Sequence, residues 1–216
     1  FSCLVVPSEG HHPAFQIGSN HMPVTYTNRK GVTYYLCRGV TKTGKPRYYF
    51  AREIKGEPVD EIPEGFTITE SVNGVVSLAR QRPSQILPDE IAWVEASVRR
   101  HPKAHNYRVS AKPDRIEIYE RVGPDPEDLI AEFRGISGLF AVQADRLRER
   151  SDRHAQFTPV LRFILADAER RTFRAERWCY LGSIDDWINV GTTGPVAQLA
   201  REWIPKLGTD RMFEVY

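Results

Sequence analysis

Thr41-Lys42-Thr43-Gly44-Lys45-Pro46-Arg47-Tyr48-Tyr49-Phe50 is a basic Gly/Pro turn that runs straight into an aromatic strand. Residues 31–40 before it are rich in Tyr, Thr and Val, and residues 47–54 in Tyr and Phe. Two β-forming runs joined by a segment with the Gly and Pro that a connection requires predict an antiparallel hairpin. A second hairpin is expected at 66–70 and 75–80, joined by Asn73-Gly74, a pair whose members both tolerate positive φ. Residues 23–80 therefore read as a small antiparallel β module of about four strands. Glu57, Asp60, Glu61 and Glu64 lie between its hairpins.

Beyond residue 80 the period changes. Pro88-Asp89-Glu90 opens a helix with proline in the first turn and acids at the positive dipole end. Ile91, Val94 and Val98 share a face, and Arg99, Arg100 and His101 before Pro102 suit its end. Residues 106–111 and 115–122 alternate about Lys112-Pro113-Asp114, with Tyr107, Val109, Ala111, Ile116 and Ile118 inward, and predict a further hairpin. Gly123-Pro124-Asp125-Pro126 is a break. Residues 128–133 suit a helix or a strand beside 115–122. Residues 139–153 predict a helix with Phe140, Ala144 and Leu147 on one side and a solvated, ion-paired charge run from Asp145 to Arg153.

A long hairpin at 158–166 and 172–181 sets Leu161, Phe163 and Leu165 against Phe173, Ala175, Cys179 and Leu181. Residues 182–188 read as a turn holding a buried Trp187. A last helix from Gly194-Pro195 to Pro205 aligns Val196, Leu199, Ala200 and Trp203, and 212–216 could add an edge strand. Helix followed by hairpin occurs twice, which suggests a duplicated architecture. The fold class is α+β: an N-terminal antiparallel β module, then a mixed module over 81–216 of antiparallel hairpins and about three helices. No β–α–β rhythm of a nucleotide-binding sheet is present.

The 216 residues are 41% hydrophobic and 27% charged, a globular composition rather than a disordered one. The longest apolar run, 160–166, is interrupted by Arg162 and falls well short of the ~18 residues of a membrane span. Residues 1–22 hold three of the six histidines and no Lys or Arg. Gly18-Ser19-Asn20-His21-Met22 reads as the end of an expression tag or leader, with Met22 as the natural start. Outside it only Cys37 and Cys179 remain, which suits two reduced thiols on strands of a cytoplasmic protein rather than a disulfide framework.

From Arg29 to Lys55 there are eight basic residues against one acid, a local net charge of +7 with tyrosines interleaved. Such a surface can hold phosphates and stack bases. Lys42, Lys45, Arg47 and Arg52 are the expected phosphate contacts, and Tyr48 or Tyr34 the expected stacking ring. The plain structural reading is a two-sided ribbon whose lysines keep a sheet edge soluble, or a patch that docks the acidic 57–64 loop.

Other chemistry is thinner. His101 and His105 have a helical ligand spacing, but Pro102 lies between them and no third ligand is near. Ser183 lacks the second glycine of a nucleophile elbow, and Thr43-Gly44-Lys45 is no phosphate loop. Asp114, Glu117 and Glu120 with Lys112, or Asp185-Asp186, are the acids and the lysine a divalent-metal nuclease would use. No cofactor pattern stands out.

Tyr34-Tyr35-Leu36, the 41–50 stretch, Ile62-Pro63-Glu64-Gly65-Phe66 and Ser71-Val72-Asn73-Gly74 resemble a pattern in bacterial hypothetical proteins of unassigned function. The segment from Trp178 to Trp187 is similar to the tail of the same proteins. The resemblance implies a bacterial cytoplasmic origin and no particular activity. The expectation is a non-enzymatic protein that binds DNA or RNA through Lys42, Lys45, Arg47, Tyr48 and Arg52. The alternatives are a metal nuclease and a protein–protein adaptor that pairs edge to edge, possible with a second copy of the chain.

Overall fold

The structure, a computed structural model, describes residues 22–133, 140–179 and 185–213. The leader up to residue 21, the end of the long hairpin at Leu181, Ser183 with its turn, and the last three residues lie outside the described residues.

Three turns of one chemistry shape the N-terminal part. Asn28, Thr41 and Ser71 each begin a turn whose fourth residue is a glycine at positive φ: Gly31 at 76°, Gly44 at 76° and Gly74 at 78°. Each glycine N–H donates to the first residue's carbonyl, at 2.8, 2.9 and 2.9 Å. The first residue's side-chain oxygen then accepts the N–H four positions on, from Val32 at 2.9 Å, Lys45 at 3.1 Å and Val75 at 3.1 Å. This is the three-residue hairpin loop that ends in a left-handed residue. Asn73 is therefore not at positive φ, as the Asn-Gly reading expected: the Ser71 hydroxyl starts the turn two residues earlier and leaves only Gly74 left-handed.

The turns join six strands: β1 (Thr25–Thr27), β2 (Thr33–Val40), β3 (Pro46–Ala51), β4 (Glu57–Pro58), β5 (Phe66–Glu70) and β6 (Val76–Arg80). β2 lies between β3 and the short pieces β1 and β4 in one antiparallel sheet, while β5 and β6 form a separate ribbon. β1 and β4 span three and two residues, too few for any periodicity to announce them.

The second part is an α+β layer. It runs α1 (Pro88–Arg99), β7 (Tyr107–Ala111), β8 (Arg115–Val122), α2 (Pro126–Phe133), α3 (Phe140–His154), β9 (Gln156–Asp167), β10 (Thr172–Cys179), β11 (Asp186–Gly194) and α4 (Val196–Trp203). The five strands form an antiparallel meander in chain order, with α2 and α3 inserted between β8 and β9. Opposed residues make apolar rows across it: Ala111, Ile116, Phe163 and Ala175 in one, and Val109, Ile118 and Leu161 in the next. Val94 and Val98 of α1 and Val196, Leu199, Ala200 and Trp203 of α4 bury that face. Trp203 keeps its indole N–H satisfied by donating to Thr192 Oγ1 at 2.8 Å. The opposite face carries the polar row Ser110, Glu117, Arg162, Glu176 and Asn189.

Four sequence expectations change. Residues 186–194 are a strand, not a turn, and Trp187 is a half-buried ring edge-on to Trp178 at 5.1 Å. The left-handed Gly191, at φ 81°, interrupts the alternation that would have revealed it. Asp210–Met212 is a 3-10 turn with Met212 buried in the core, so the edge strand expected at 212–216 does not begin there, and 214–216 lie outside the described residues. Leu147 is exposed, and the inward side of α3 is set by Ala144. The two helix–hairpin units are not equivalent: α1 lies on the apolar face, whereas Ser151 and Asp152 of α3 reach Arg121 on the other. The 128–133 alternative resolves as helix.

The two parts meet at the start of β9. The β9–β10 ladder among the described residues ends at Leu161–Arg177, which leaves the backbone of Phe157 open on that side. The Asn73 carboxamide fills it: Phe157 N donates to Asn73 Oδ1 at 2.8 Å and Asn73 Nδ2 donates to Phe157 O at 2.9 Å. Asn28, 4% exposed, donates to Gly74 O at 2.7 Å from behind, and Lys30 Nζ donates to Ala155 O at 3.1 Å. Val72, Ala155 and Phe157 bury the small apolar cluster beneath. Replacing Asn73 by Ala strands a buried N–H and C=O, so Asn73→Ala should lower the unfolding free energy by about 2–3 kcal/mol in denaturant melts. A change below about 0.5 kcal/mol, the size of an ordinary surface substitution, would show that the pairing carries no load.

Asp125 closes the loop that follows β8. It caps α2 by accepting Glu127 N at 2.9 Å and also accepts His105 Nε2 and Asn106 Nδ2, both at 2.7 Å. Burial works to raise its carboxyl pKa, but the bonds from Glu127, His105 and Asn106 outweigh it and bring it from 3.8 down to about 2. A lowered folded pKa contributes stability that is present above the unfolded value and lost as pH falls through the folded one. Asp125→Ala should thus cost about 2 kcal/mol at neutral pH, and the gap to the parent should close between about pH 4 and pH 2. A gap that persists at pH 2 would refute this account.

Candidate nucleic-acid interface

β2 and β3 pair from Tyr35–Ala51 to Val40–Pro46, so the Thr41 turn projects beyond the sheet. Thr41 N donates to Lys45 O at 2.8 Å, and the Thr41 and Thr43 hydroxyls bond at 3.0 Å. Gly44 supplies the left-handed residue in open space. This rigid tip presents Lys42 and Lys45, both exposed.

Alternation along the strands divides the remaining candidates. Arg38, Tyr48, Phe50, Leu36 and Tyr34 lie on one face, and Arg47, Tyr49, Cys37 and Gly39 on the other. Leu36 and Cys37 are both fully buried, so each face of β2 is covered and neither is wholly open to a ligand. Gly39 and Gly56 show where Tyr49 goes. A Cβ on Gly56 would lie 2.7 Å from the Tyr49 hydroxyl, and one on Gly39 would lie 3.2 Å from Cε1 of the ring. Tyr49 is committed to packing. Tyr48 is half-buried opposite Arg38, and Tyr34 is half-buried opposite Tyr26, whose hydroxyl donates to Glu70 at 3.0 Å. That bond, more than burial, raises the Tyr26 pKa.

The five nominated residues are thus brought to one ribbon but not to one face. Lys42 and Lys45 hold the tip, Arg47 and Tyr48 point to opposite sides, and Arg52 is exposed just past the end of β3. The other cations of the basic stretch are engaged: Arg29 with Glu70 at 3.7 Å, Arg38 with Glu57 at 3.8 Å, Lys55 with Glu53 at 3.6 Å, and Lys30 with the Ala155 carbonyl. Among the described residues Lys42, Lys45, Arg47 and Arg52 have no carboxylate partner. The acidic loop meets this region through Glu57 on β4, and it takes Arg38.

The acids considered for metal chemistry are occupied or apart. Glu117 accepts Arg115 Nε at 2.7 Å and the Tyr119 hydroxyl at 2.7 Å, and Asp114 accepts Arg115 Nη1 at 3.0 Å. Burial and the Glu117 carboxylate together push the Tyr119 hydroxyl above the usual phenol range. Glu120 lies on the opposite face and accepts Tyr107 Oη at 2.8 Å. Asp185 accepts the Trp178 indole N–H at 3.2 Å. His101 accepts Lys103 N at 3.1 Å and His105 is bound to Asp125, so the two histidines serve different partners. No group of three or more His, Cys, Asp or Glu is set to hold a metal ion among the described residues. Cys37 and Cys179 are buried, free thiols on β2 and β10.

Sequence reasoning missed a second cationic cluster, where Arg29 and Lys30 meet Arg108 and Arg153. These residues are far apart in the chain, and no local pattern could have joined them. Among the described residues no helix is long and apolar enough to cross a membrane. Comparison of the chain with protein-family models, with curated proteins and with solved structures gives no match.

Proposed function

We propose that this protein is a cytoplasmic nucleic-acid-binding protein that grips the phosphate backbone with the tip and edge of the β2–β3 ribbon. One observation carries the reading. Lys42, Lys45, Arg47 and Arg52 are exposed and, among the described residues, without a carboxylate partner, in a chain that pairs Arg29, Arg38, Arg115, Arg121, Arg148, Arg162, Arg171 and Arg174 with acids. Unpaired cations on a stiff turn lose little conformational freedom when they meet phosphates, and they release the counterions that drive binding. Tyr48 supplies a ring for an unstacked base, which favours single-stranded RNA or DNA.

Among the described residues the edge of β3 away from β2 has no hydrogen-bonded strand, which supports the second reading, strand addition by a protein partner or a second copy. The nuclease reading has less support, because Glu117 is held by Arg115 and Tyr119.

Fluorescence anisotropy with labelled oligonucleotides over a salt series separates these readings. Four phosphate contacts give a log–log salt slope near −3 for a single strand, or about fifty-fold weaker binding from about 50 to about 200 mM salt. Exchanging Lys42, Lys45, Arg47 and Arg52 together for Ala should flatten that slope, whereas Tyr48→Ala should weaken binding several-fold and leave the slope unchanged. Absence of binding at low salt, or a slope indifferent to the four-residue variant, refutes the proposal. Cleavage that requires magnesium would favour the nuclease instead.

A further inference from the structure

A cleft of about 370 Å³ lies between the Asn28–Gly31 turn, the start of β7, the last turn of α3 and the start of β9. Arg29, Lys30, Arg108 and Arg153 line it, and the Arg121 guanidinium lies behind its floor, 5.7 Å from the Phe157 ring centroid. Arg108 is 5.0 Å over the same ring. These five cations share three acids: Glu149 and Asp152 on the cleft wall, and Glu70 beside Arg29.

The question is what so much positive charge is for. The negative end of α3 calls for some of it, yet its carbonyls are served: Ser151 O accepts Arg121, and Ala155 O just past the helix accepts Lys30. Arg121 and Arg108 both turn to the single carboxylate of Asp152, Arg121 in direct contact and Arg108 only to within 3.8 Å. That leaves donors over. The Arg121 side chain is 4% exposed, and its Nε is buried with no hydrogen-bond partner among the described residues. Arg108 is locked by donating to the carbonyls of His105 and Tyr107, both at 2.9 Å, which aims the rest of its guanidinium into the cleft side. Burial first, then the nearness of Arg121 and Arg29, holds the Arg108 pKa down against the pull of Asp152. A fixed, partly desolvated guanidinium beside like charges is stabilised by an incoming anion, and its planar fork matches the oxygens of a phosphate.

We propose that this cleft is a phosphate-recognition site in which Arg108 is the fixed anchor and Arg29, Lys30 and Arg153 close around the oxyanion. Its chemistry would suit a phosphate monoester or a backbone phosphodiester. It stands apart from the β2–β3 ribbon: the two turns lie at opposite ends of the eight-residue β2, about 26 Å apart at ~3.3 Å per residue. The site therefore holds whether or not the ribbon binds nucleic acid.

The test is isothermal titration of the full chain at low ionic strength with inorganic phosphate, with a nucleoside monophosphate and with a short single strand. Chloride is the competing control. Arg153→Ala is the first variant, because Arg153 is exposed and makes no ion pair among the described residues, and Arg29→Ala is the second. Each should weaken phosphate binding roughly ten-fold, and Arg153→Ala should leave the thermal midpoint unchanged. Lys42→Ala with Lys45→Ala should leave phosphate affinity as it was. Phosphate binding no tighter than chloride, or untouched by both arginine variants, overturns the site. If the single strand loses affinity in Arg153→Ala as the monophosphate does, the natural source is a nucleic-acid backbone. If only phosphate and monophosphate weaken, the source is a free phosphate ester.

Discussion

The carboxamide of Asn73, paired to the backbone of Phe157 like one residue of a missing strand, holds the β ribbons against the five-stranded sheet. An amide side chain offers one donor and one acceptor at the spacing of a peptide unit, so it can cap an open ladder where a whole strand would not fit. Its own position is fixed by the Ser71 turn beneath it and by buried Asn28 behind Gly74. A Cβ on Gly74 would lie 3.1 Å from Asn28 Nδ2, at a φ that side chains avoid. Everything that depends on the relation of the two parts, the phosphate cleft included, depends on this stack of polar contacts. The apolar cluster beside it, Val72, Ala155 and Phe157 with Tyr119 against them, is small.

Charge in this chain divides by use. On the polar face of the sheet, Arg162 donates to Glu176 at 2.7 Å and lies 4.2 Å over the Trp187 ring, while Arg174 reaches the other oxygen of Glu176 at 2.9 Å. Arg148 forks onto Glu127 at 2.6 and 2.9 Å and ties α3 to α2. Arg171 reaches Glu90, whose carboxylate accepts Leu87 N at the start of α1, and links the β9–β10 turn to that helix. Such cations are structural parts, Arg148, Arg162 and Arg171 half-buried among them, and removing one costs a carboxylate a partner. Cations that do no structural work are the ones available to a ligand. Among the described residues Lys42, Lys45, Arg47 and Arg52 of the ribbon and Arg153 of the cleft meet that criterion, whereas Arg29, Lys30, Arg108 and Arg121 are already partly engaged.

Strict alternation made the apolar rows legible: Ile116 with Ile118, and Leu161 with Phe163, are inward in the sequence and fully buried in the fold. The helical stripes of Val94 with Val98, and of Val196, Leu199, Ala200 and Trp203, were equally plain because helical spacing and burial agree there. What escaped was structure made by side chains bonding to backbone. The Asn28, Thr41 and Ser71 turns share a polar residue followed three positions later by glycine, a signal that is visible once it is known to matter. β11 escaped because Asn189 folds back on Gly191 N at 2.7 Å and breaks the period. The basic ribbon could be nominated from sequence since its residues are neighbours in the chain. The cleft could not, since its walls come from residues 29–30, 108 and 149–157.

β2 explains why one basic stretch yields two different environments. Both of its faces are covered at Leu36 and Cys37, so it is a rod with a turn at each end. The turns have the same geometry and both carry cations, yet their first residues differ. Asn28 has a carboxamide, so it can close its own turn through Oδ1 and still donate to Gly74 through Nδ2; it is buried, and its turn is docked. Thr41 has one hydroxyl, spent within its own loop on Thr43 and Lys45, and nothing remains to reach the rest of the protein. The docked turn delivers Arg29 and Lys30 into a walled cleft, where a small oxyanion fits. The free turn delivers Lys42 and Lys45 to solvent, beyond the end of the sheet, where the proposed polyanion would meet them. The difference between Asn and Thr at the first turn position thereby separates a pocket from a grip.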